Sequence, residues 1–329
     1  MSATVDIVIP TWNGAPLLAA TLETLSRQTY PISRVIVVDN GSTDDSAALA
    51  AKAGAQVISL GANQGFAPAV NRGIRAATAE YIAIVNNDVT LPPEWLARLM
   101  DKLEAKLEGG KAWFATGKLL NAQQHDRLDG SYDAICRGGC AWRCGHGRLD
   151  SEHWNRPRTI RLASLTAAVF RAGLFEALGL LDERFESYLE DVDFGLRCAE
   201  AGFSGLYVPE AVAYHRGSAT LGRWHPDTVR KMARNQVLII AKHYPPYWII
   251  RYGWSVFIAQ GLWGFLALRH GTLLAYLAGK LDGLRQFRAA RGKHCAAFPA
   301  IIEESEQEIR DIQESTGFDL YWRLYFALT

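Results

Sequence analysis

The sequence predicts an α/β fold with an open, Rossmann-like and mostly parallel sheet that carries helices on both faces. Between Asp6 and Gly117, short apolar runs alternate with stretches of helical apolar spacing. The run at 34–39 is β-branched and nearly continuous, which is typical of a parallel strand buried on both faces. Because parallel strands need crossover helices between them, this alternation favours a doubly wound sheet.

The predicted elements follow one another from the first apolar run. Residues 6–10 form a strand that ends at Pro10, and leucines at helical spacing predict a helix at 16–28. Ser42 or Thr43 is expected to cap the helix after the second strand. The further elements are strands at 56–59, 81–85, 111–117, 161–170 and 205–214, and helices at 66–77, from 92, at 172–178 and at 191–201. No Gly-x-Gly-x-x-Gly follows the first strand, so a dinucleotide-binding fold is a poor match.

Composition and charge divide the chain into two parts. The 329 residues are 49% hydrophobic and 21% charged, which is ordinary for a folded protein with a sizeable core. The net charge of +1 hides an asymmetry, because 216–293 holds 13 Lys and Arg but only two Asp. We expect a catalytic domain at 1–229, with halves at about 1–119 and 120–229, and a helical, basic and aromatic region at 230–329. Residues 121–161 lose periodicity and are expected to form a variable lid or an acceptor surface.

The cysteines and the first residues indicate a reducing compartment. The start of the chain predicts a strand rather than a secretory signal, and five cysteines are an odd number for a disulfide framework. Cys136, Cys140, Cys144 and His146 have a spacing that could bind zinc. Free thiols in a variable loop are the alternative that we favour.

Four polar clusters stand where apolar strands end or helices begin. They are 10–14, 39–44, 63–66 and 86–88. Taken singly, each could be a turn or a helix cap. Together at one edge of a sheet they supply carboxylate and amide groups that could read a pyrimidine and a ribose. Gly65 and the helix start after it suggest a diphosphate site, which Arg72 could reach from two turns further on.

Two further groups suggest a metal and a base. Asp88 follows an apolar strand and suits Mg²⁺ or Mn²⁺ shared with substrate phosphates. His215 could add a nitrogen ligand, which favours Mn²⁺, or could simply be a hydrogen-bonded loop residue. Asp191 is the candidate base, with Glu190 and Asp193 beside it on the acceptor side, since clustered carboxylates raise one another's proton affinity. The alternative is that these three acids only cap a helix.

These motifs closely resemble those of the family 2 glycosyltransferases, inverting enzymes of the GT-A fold, and within them the rhamnosyltransferase-like branch. The resemblance runs from about Asp6 to Ala219. It implies that Thr11, Asn13 and Asp39 hold the nucleoside, that Asp88 and His215 bind the metal and that Asp191 is the base. The full set expected to bind the nucleotide-sugar is Pro10, Thr11, Asn13, Asp39, Asn40, Asn63, Gly65, Arg72 and Asn87. Positions 86 and 87 are Asn where many relatives carry Asp, which implies weaker metal binding.

The reaction expected from this resemblance is transfer of a sugar, with inversion, from a nucleotide diphosphate-sugar to a hydroxyl group. The preferred donor is dTDP-rhamnose, and UDP-galactofuranose or another UDP-sugar is the alternative. Three other classes are weighed against it: a glycoside hydrolase, a sugar-nucleotide synthase and a non-catalytic membrane-bound scaffold. The hydrolase needs two opposed carboxylates and no nucleotide. The synthase needs a glycine-rich phosphate loop after the first strand, which 12–15 does not supply.

The C-terminal part suggests contact with a membrane surface. Residues 252–268 are uncharged but fall short of the ~20 apolar residues that a span needs. Aromatic and basic residues together suit the headgroup boundary, so we expect in-plane docking at the cytoplasmic side of the inner membrane and a polyprenyl-diphosphate-linked saccharide as acceptor. A spanning helix and an ordinary helical core are the alternatives. The residues expected to contact the membrane are Arg251, Trp254, Trp263 and Arg269.

Overall fold

The structure is a computed structural model that describes residues 3–105, 111–217, 222 and 224–329. Its strands are β1 (Val5–Thr11), β2 (Arg34–Asp39), β3 (Gln56–Ser59), β4 (Tyr81–Val85), β5 (Val89–Thr90), β6 (Phe114–Asn121), β7 (Leu128–Gly130), β8 (Asp133–Ile135), β9 (Ala141–Arg143), β10 (Arg158–Ile160), β11 (Ala167–Arg171) and β12 (Gly205–His215). Its helices are α1 (Ala15–Leu25), α2 (Ser46–Lys52), α3 (Phe66–Ala76), α4 (Trp95–Glu104), α5 (Ala172–Leu178), α6 (Glu190–Glu200), α7 (Pro226–His243), α8 (Trp248–Arg269), α9 (Leu273–Ala290), α10 (Phe298–Thr316) and α11 (Leu320–Leu328).

A mixed sheet forms the centre of the described part of the chain. Its strands lie in the order β10-β12-β6-β11-β4-β1-β2-β3, with β5 on β12 and β7 on β6. The neighbours β4, β1, β2 and β3 are parallel, as the alternation of strands and helices predicts. Strand β11 runs antiparallel between β4 and β6, and β12 is parallel to β6. The carboxyl ends of β1, β2 and β4 therefore meet at one edge.

Each face of the sheet carries its own core. On β1, Ile7 and Ile9 pack with the leucines of α1 and with α4. Val8, which points the opposite way, packs with Val70 and Ile74 of α3. Because successive residues of a strand face opposite sides, this arrangement explains why the strand sequences are apolar without alternation.

The C-terminal helices are joined to the sheet domain through the hairpin of β8 and β9. Ser305 of α10 accepts a hydrogen bond from the backbone N–H of Ile135 at 2.8 Å. Glu306 pairs with Arg137 at 2.6 Å, just beyond the end of β8. Helix α7 begins at Pro226, so the domain boundary expected at 229/230 lies within its first turn. Within the ranges described, no helix has the length and apolar character needed to cross a bilayer.

Some expected boundaries were wrong. The strand expected at 111–117 is β6 at Phe114–Asn121, and only the end of the run at 161–170 is strand, as β11. The helix after β2 begins at Ser46, and neither Ser42 nor Thr43 caps it. Instead Ser42 Oγ accepts from the backbone N–H of Asn13 at 3.0 Å, and the N–H of Thr43 donates to Asn13 Oδ1 at 2.8 Å. These polar side chains bind the neighbouring loop rather than a helix end.

Candidate active site

The carboxyl ends of β1, β2 and β4 open onto a cavity of about 510 Å³. Its walls come from the loops after these strands, from the hairpin of β8 and β9, from the start of α6 and from α7. Ligands of open α/β sheets bind at this edge. The predicted site residues that line the cavity are Pro10, Thr11, Asn40, Asn63, Gly65, Asn87, Asp88, Glu190, Asp191 and His215.

Asn40 connects two of the loops that form the cavity wall. Its Nδ2 donates to Asn63 Oδ1 at 3.0 Å and to the carbonyl oxygen of Gly65 at 2.9 Å. Its Oδ1 accepts from the backbone N–H of Gln64 at 2.8 Å. The amide thus fixes the loop before α3 against the end of β2, which keeps the wall of the cavity rigid.

Position 65 can hold only glycine without strain, because of its backbone conformation and its close neighbours. Its φ is +99°, and a Cβ there would lie 2.8 Å from the carbonyl oxygen of Glu186. The next two backbone N–H groups, of Phe66 and Ala67, donate to Ser187 Oγ at 3.0 Å and to the carbonyl oxygen of Glu186 at 2.8 Å. The helix start therefore binds the segment before α6, so these two N–H groups are engaged within the protein rather than directed at a diphosphate.

Three residues expected to bind the nucleotide-sugar are not on the cavity wall. Asp39 is 4% exposed, and its carboxylate accepts from the N–H of Ser42 at 3.0 Å. Asn13 holds the neighbouring loop with a φ of +48°. Arg72 is exposed on α3. Asp39 and Asn13 shape the loops beside the cavity, and direct contact of these three residues with a nucleotide stays a prediction.

Asp88 and His215 lie next to each other on the cavity wall. His215 Nε2 lies 3.2 Å from Asp88 Oδ1, and His215 Nδ1 lies 2.6 Å from Asp129 Oδ2. Burial opposes protonation of His215, but its bonds to Asp129 and Asp88 outweigh burial and raise its pKa to about 9. A carboxylate bound to the second ring nitrogen is the arrangement that orients metal-binding histidines.

This pair fits a divalent cation that the substrate also binds. In the described ranges no group of three or more His, Cys, Asp and Glu side chains is arranged to hold an ion. Asp88 and His215 offer one oxygen and one nitrogen, a donor set that suits Mn²⁺ when phosphate oxygens and water supply the remaining ligands. A third protein ligand is not needed for such a site.

The candidate base lies on the cavity wall at the start of α6. Asp191 Oδ1 accepts from the N–H of Val192 at 2.9 Å, and Oδ2 lies 3.5 Å from Arg143 Nη2. Arg143 also donates to Asp133 Oδ1 at 3.3 Å and to Thr166 Oγ1 at 3.1 Å. Burial, partly offset by Arg143 and reinforced by Asp191, raises the pKa of Asp133 to about 7.

Three residues of the cavity wall carry a buried polar oxygen. Asn86 Oδ1, Asp133 Oδ2 and Glu190 Oε2 have no hydrogen-bond partner within the described residues. Burial, together with the charge of Asp191, raises the pKa of Glu190 well above its ordinary value. Because native proteins satisfy most buried polar groups, unpaired atoms at one cavity indicate that it binds a polar molecule.

Asp193 was expected beside the acceptor, and this was wrong. The side chain is fully buried on the other side of α6, where Oδ1 lies 2.9 Å from His243 Nε2. Oδ2 accepts from Arg197 at 3.1 Å and from Lys242 at 3.0 Å. Burial alone would raise its pKa, but His243 and the two cations hold the pKa well below its ordinary value. Asp193 therefore anchors α6 and α7 to each other.

Several cavity residues were not predicted from the sequence. Asp129, Asp133 and Arg143 come from the segment 121–161, which was expected to be a lid or an acceptor surface. They lie on β7, β8 and β9, and their positions at the cavity depend on the pairing of β7 with β6 and of β8 with β9. Ser187, Tyr188 and Lys231 also line the cavity. A signal was present only at 129–133, where two acids flank a Gly-Ser-Tyr turn.

The cysteines of the same segment lie in the core. Cys136, Cys140 and Cys144 are free and buried, and burial raises the pKa of each thiol. His146 Nδ1 contacts the carbonyl oxygen of Asp129 at 2.8 Å and lines the cavity. Across the described ranges these side chains do not form a zinc site.

Comparison with known structures identifies the fold. A mannosyltransferase from Pyrobaculum calidifontis, in complex with GDP-Man and Mn²⁺, superposes with a TM-score of 0.54 at 16% identity, covering 99% of this chain and 87% of the other. GalNAc-T7 with UDP, GalNAc and Mn²⁺ gives a TM-score of 0.61 at 14% identity, covering 96% of this chain and 58% of that one. The architecture is the GT-A glycosyltransferase fold.

Sequence comparison then indicates a family. Residues 6–140 match the model described as Glycosyl transferase family 2. The N-acetylglucosaminyl-diphospho-decaprenol L-rhamnosyltransferase of Mycobacterium tuberculosis is 26% identical over 320 residues, covering 89% of this chain and 100% of the relative. The O-antigen biosynthesis protein RfbC of Myxococcus xanthus is 28% identical, over 66% of this chain and 17% of its own length. Residues 6–140 thus carry the similarity to family 2 glycosyltransferases, and the chain as a whole is similar to a rhamnosyltransferase.

Proposed function

We propose that the protein transfers a sugar, with inversion, from a nucleotide diphosphate-sugar to a hydroxyl group of a polyprenyl-diphosphate-linked saccharide in the synthesis of a cell-surface polysaccharide. The observation that carries this proposal is that the Asp88–His215 pair and the Asp191 carboxylate line one cavity. The pair suits a diphosphate with its cation, and the carboxylate suits a hydroxyl group that must lose a proton.

Asp191 is the base in the proposed reaction. Its Oδ2 takes the proton of the acceptor hydroxyl while the acceptor oxygen bonds to the anomeric carbon. The bond from that carbon to the diphosphate breaks at the same time, and the nucleoside diphosphate leaves. Attack from the face opposite the leaving group inverts the configuration. The hydrogen bond from the Val192 N–H fixes Oδ1, and Arg143 lies 3.5 Å from Oδ2, the oxygen that takes the proton in this proposal.

Asp88 and His215 would hold Mn²⁺ or Mg²⁺ against the diphosphate. When bound, the cation neutralises the charge that develops on the leaving group. Asp129 orients the His215 ring with a 2.6 Å contact, so the imidazole presents Nε2 to the cavity. The Mn²⁺ ions named with the two structural relatives support this choice of cofactor.

dTDP-rhamnose is the preferred donor in the proposal. The support is the rhamnosyltransferase from Mycobacterium tuberculosis, whose whole length aligns with this chain. A UDP-sugar, with a galactofuranosyl or a hexosyl group, is the alternative, since one structural relative binds UDP. A turnover screen of dTDP- and UDP-sugars with a polyprenyl-diphosphate-linked saccharide separates them.

The proposal is tested by Asp191→Asn, which keeps the shape of the side chain and removes the base. We expect its turnover to fall at least ~10²-fold, with nucleotide diphosphate affinity nearly unchanged. An Asp191→Asn protein with normal turnover contradicts the proposed base. Release of free sugar from a glycan without any nucleotide would favour a hydrolase instead.

The C-terminal helices expose an apolar surface that supports docking to a membrane. On α8, Ile250, Trp254, Phe257, Phe265 and Leu268 are each more than half exposed. They are four, three, eight and three residues apart, which places them on one helix face. Helix α9 repeats the pattern with Leu274, Leu277, Leu281 and Leu284. These nine residues are called the apolar face below.

Basic residues accompany the apolar face. Arg269, Arg285 and Arg288 are exposed on α8 and α9, while Arg251 pairs with Glu303 at 2.6 Å. Trp263, which was expected at the membrane, is half-buried and stacks on Tyr276 with ring centroids 5.8 Å apart. We infer that the apolar face, flanked by these arginines, rests on an anionic inner leaflet and brings the cavity to a lipid-linked acceptor.

A further inference from the structure

The backbone before the candidate base is held in a conformation that its residues rarely adopt. Glu186, Tyr188 and Leu189 have φ values of +57°, +73° and +65°. A side chain with a Cβ disfavours this left-handed region, because the Cβ approaches the following carbonyl oxygen. Three such residues stand within four positions, and Glu190 and Asp191 follow directly. We call residues 186–189 the left-handed segment.

Strain of this kind persists only where the surroundings impose it. Asn235 of α7 provides the main contact. Its fully buried Nδ2 lies 2.8 Å from the carbonyl oxygen of Phe185, 2.9 Å from that of Ser187 and 2.7 Å from that of Tyr188. Arg234 Nε donates to Asn235 Oδ1 at 2.9 Å, which fixes the amide with its N–H groups towards the segment.

The left-handed segment also contacts the N-terminal end of α3, beside the cavity. Ser187 Oγ and the carbonyl oxygen of Glu186 accept from the first N–H groups of α3, at 3.0 and 2.8 Å. Gly65 lies so close to Glu186 that no Cβ fits between them. The segment is thus held between α7 and the loop expected to bind the donor. Because α6 begins directly after the segment, the segment sets the position of Asp191.

We propose that Asn235 is a positioning residue, which holds the left-handed segment and thereby sets the distance between the Asp191 carboxylate and the bound donor. The inference rests on the proposed function for its catalytic consequence. Asn235 is not on the cavity wall and acts through the three carbonyl groups that it binds. A displacement of about 1 Å at a reacting group can cost ~10²-fold in rate.

The first test is kinetic and uses Asn235→Ala in the full chain. We expect kcat to fall by about 10- to 100-fold while the Kd for dTDP or UDP with Mn²⁺ changes by less than about threefold. The matched control is Gln236→Ala. Gln236 is the neighbouring buried residue of α7, but it accepts from Lys280 at 2.7 Å on the side of α9. Equal kcat in the two variants, or parallel losses of kcat and nucleotide affinity, would overturn the proposal.

The second test is rescue by glycine at position 189. Glycine adopts positive φ without the steric cost that alanine has. In the Asn235→Ala background, Leu189→Gly should restore part of the lost kcat, and Leu189→Ala should not. Both changes remove the same leucine contacts, so their difference reports the backbone alone. Equal kcat for the two double variants would contradict the proposed strain.

The third test needs no substrate and no transfer assay. Amide hydrogen exchange at 188–192 should be about tenfold faster in Asn235→Ala than in Gln236→Ala, since the bonds that hold the segment are lost. In the otherwise unchanged chain, Leu189→Gly should unfold at a higher temperature than Leu189→Ala. If exchange is unchanged, or if the alanine variant is the more stable, Asn235 does not hold a strained segment. These readouts stand even if the chain shows no sugar transfer.

Discussion

The Arg143 guanidinium lies 3.5 Å from the Asp191 carboxylate, so an arginine on β9 contacts the candidate base on α6. The same guanidinium lies 3.3 Å from Asp133 and 4.0 Å from Asp129, which orients His215. Its stem packs on Gly130, where a Cβ would lie 2.2 Å from Arg143 Cγ. One cation thus lies near carboxylates of β7, β8 and α6, and its side chain fills the space that a larger residue at 130 would need.

We expect Arg143→Met to lower kcat by about 10- to 100-fold, because the Asp191 carboxylate loses the cation that orients it. Loss of a partner from a buried ion pair should also cost about 3–5 kcal/mol of unfolding free energy. Steady-state kinetics and urea denaturation measure the two effects. Arg148→Met is the control, since Arg148 pairs with Asp319 at 3.0 Å away from the cavity. Normal kcat in Arg143→Met would show that Asp191 does not depend on this contact.

Metal binding is predicted to need both Asp88 and His215. With Mn²⁺ and a nucleoside diphosphate at about 100 times their Kd, the wild-type chain should gain roughly 2.7 kcal/mol of stability. Asp88→Asn and His215→Ala should lose most of the part that depends on Mn²⁺. Thermal unfolding with and without Mn²⁺ measures this.

The Asp129→Asn variant distinguishes the role of the predicted metal ligands from that of Asp129, which orients His215. It leaves Asp88 and His215 in place, but it weakens the bond to His215 Nδ1. Variants of this kind typically bind metal about 10- to 100-fold less tightly. An unchanged response to Mn²⁺ in Asp88→Asn would contradict the assigned site.

The parts of the site that follow strands could be predicted from the sequence, since strand ends are local features. Thr11, Asn40 and Asp88 each stand next to an apolar run, and the parallel order of β4, β1 and β2 brings them together. Arg143 could not be found in this way. Its contacts depend on the pairing of β8 with β9 and on α6, which lies about fifty positions further along the chain.

Asp193 shows a different limit of the sequence reasoning. Residues two apart on a helix do not share a face, so Asp191 and Asp193 could not both point into one cavity. The helix at 191–201 was predicted from the sequence. Its geometry already excluded a position for Asp193 beside Asp191 in the cavity. The buried partners of Asp193, which are Lys242 and His243 of α7, became visible only in three dimensions. The left-handed segment before α6 likewise has no sequence signature, because its residues are not the glycines that such backbone favours.

Membrane docking is predicted to depend on the apolar face. Replacing Ile250 and Phe257 together by Glu should reduce flotation with anionic vesicles at least about tenfold, since each side chain loses the burial that it would gain in the bilayer. Leu149→Glu is the control, because Leu149 is 55% exposed but lies in the catalytic part of the chain. Raised salt should weaken binding further through Arg269, Arg285 and Arg288.

Two outcomes would contradict membrane docking. Equal flotation of the double variant and of Leu149→Glu would assign binding to another surface. A wild-type chain that fails to float but forms a dimer, which the double variant abolishes, would make the apolar face an interface between two copies.

Lys280 of α9 is predicted to make stability depend on pH. Burial lowers its pKa to about 7, and nearby Cys140 only partly opposes that effect. Its Nζ donates to Gln236 at 2.7 Å, and the ammonium lies 5.0 Å from the Tyr276 ring. Between about pH 7 and the ordinary lysine pKa of 10.5, the unfolded chain holds a proton that the folded chain does not. The contribution of Lys280 to the free energy of unfolding therefore rises with pH across this window, by about 1.4 kcal/mol per pH unit. Below pH 7 the destabilisation caused by the buried ammonium is fully present.

The measurement is urea denaturation of wild type and Lys280→Met at pH 7 and pH 9. Methionine keeps much of the length of the side chain and has no charge to bury, so its advantage over lysine should shrink by about 2–3 kcal/mol from the lower to the higher pH. Lys293→Met, at an exposed position, should show no such change. If wild type and Lys280→Met differ in free energy of unfolding by the same amount at both pH values, Lys280 keeps its proton in the folded chain.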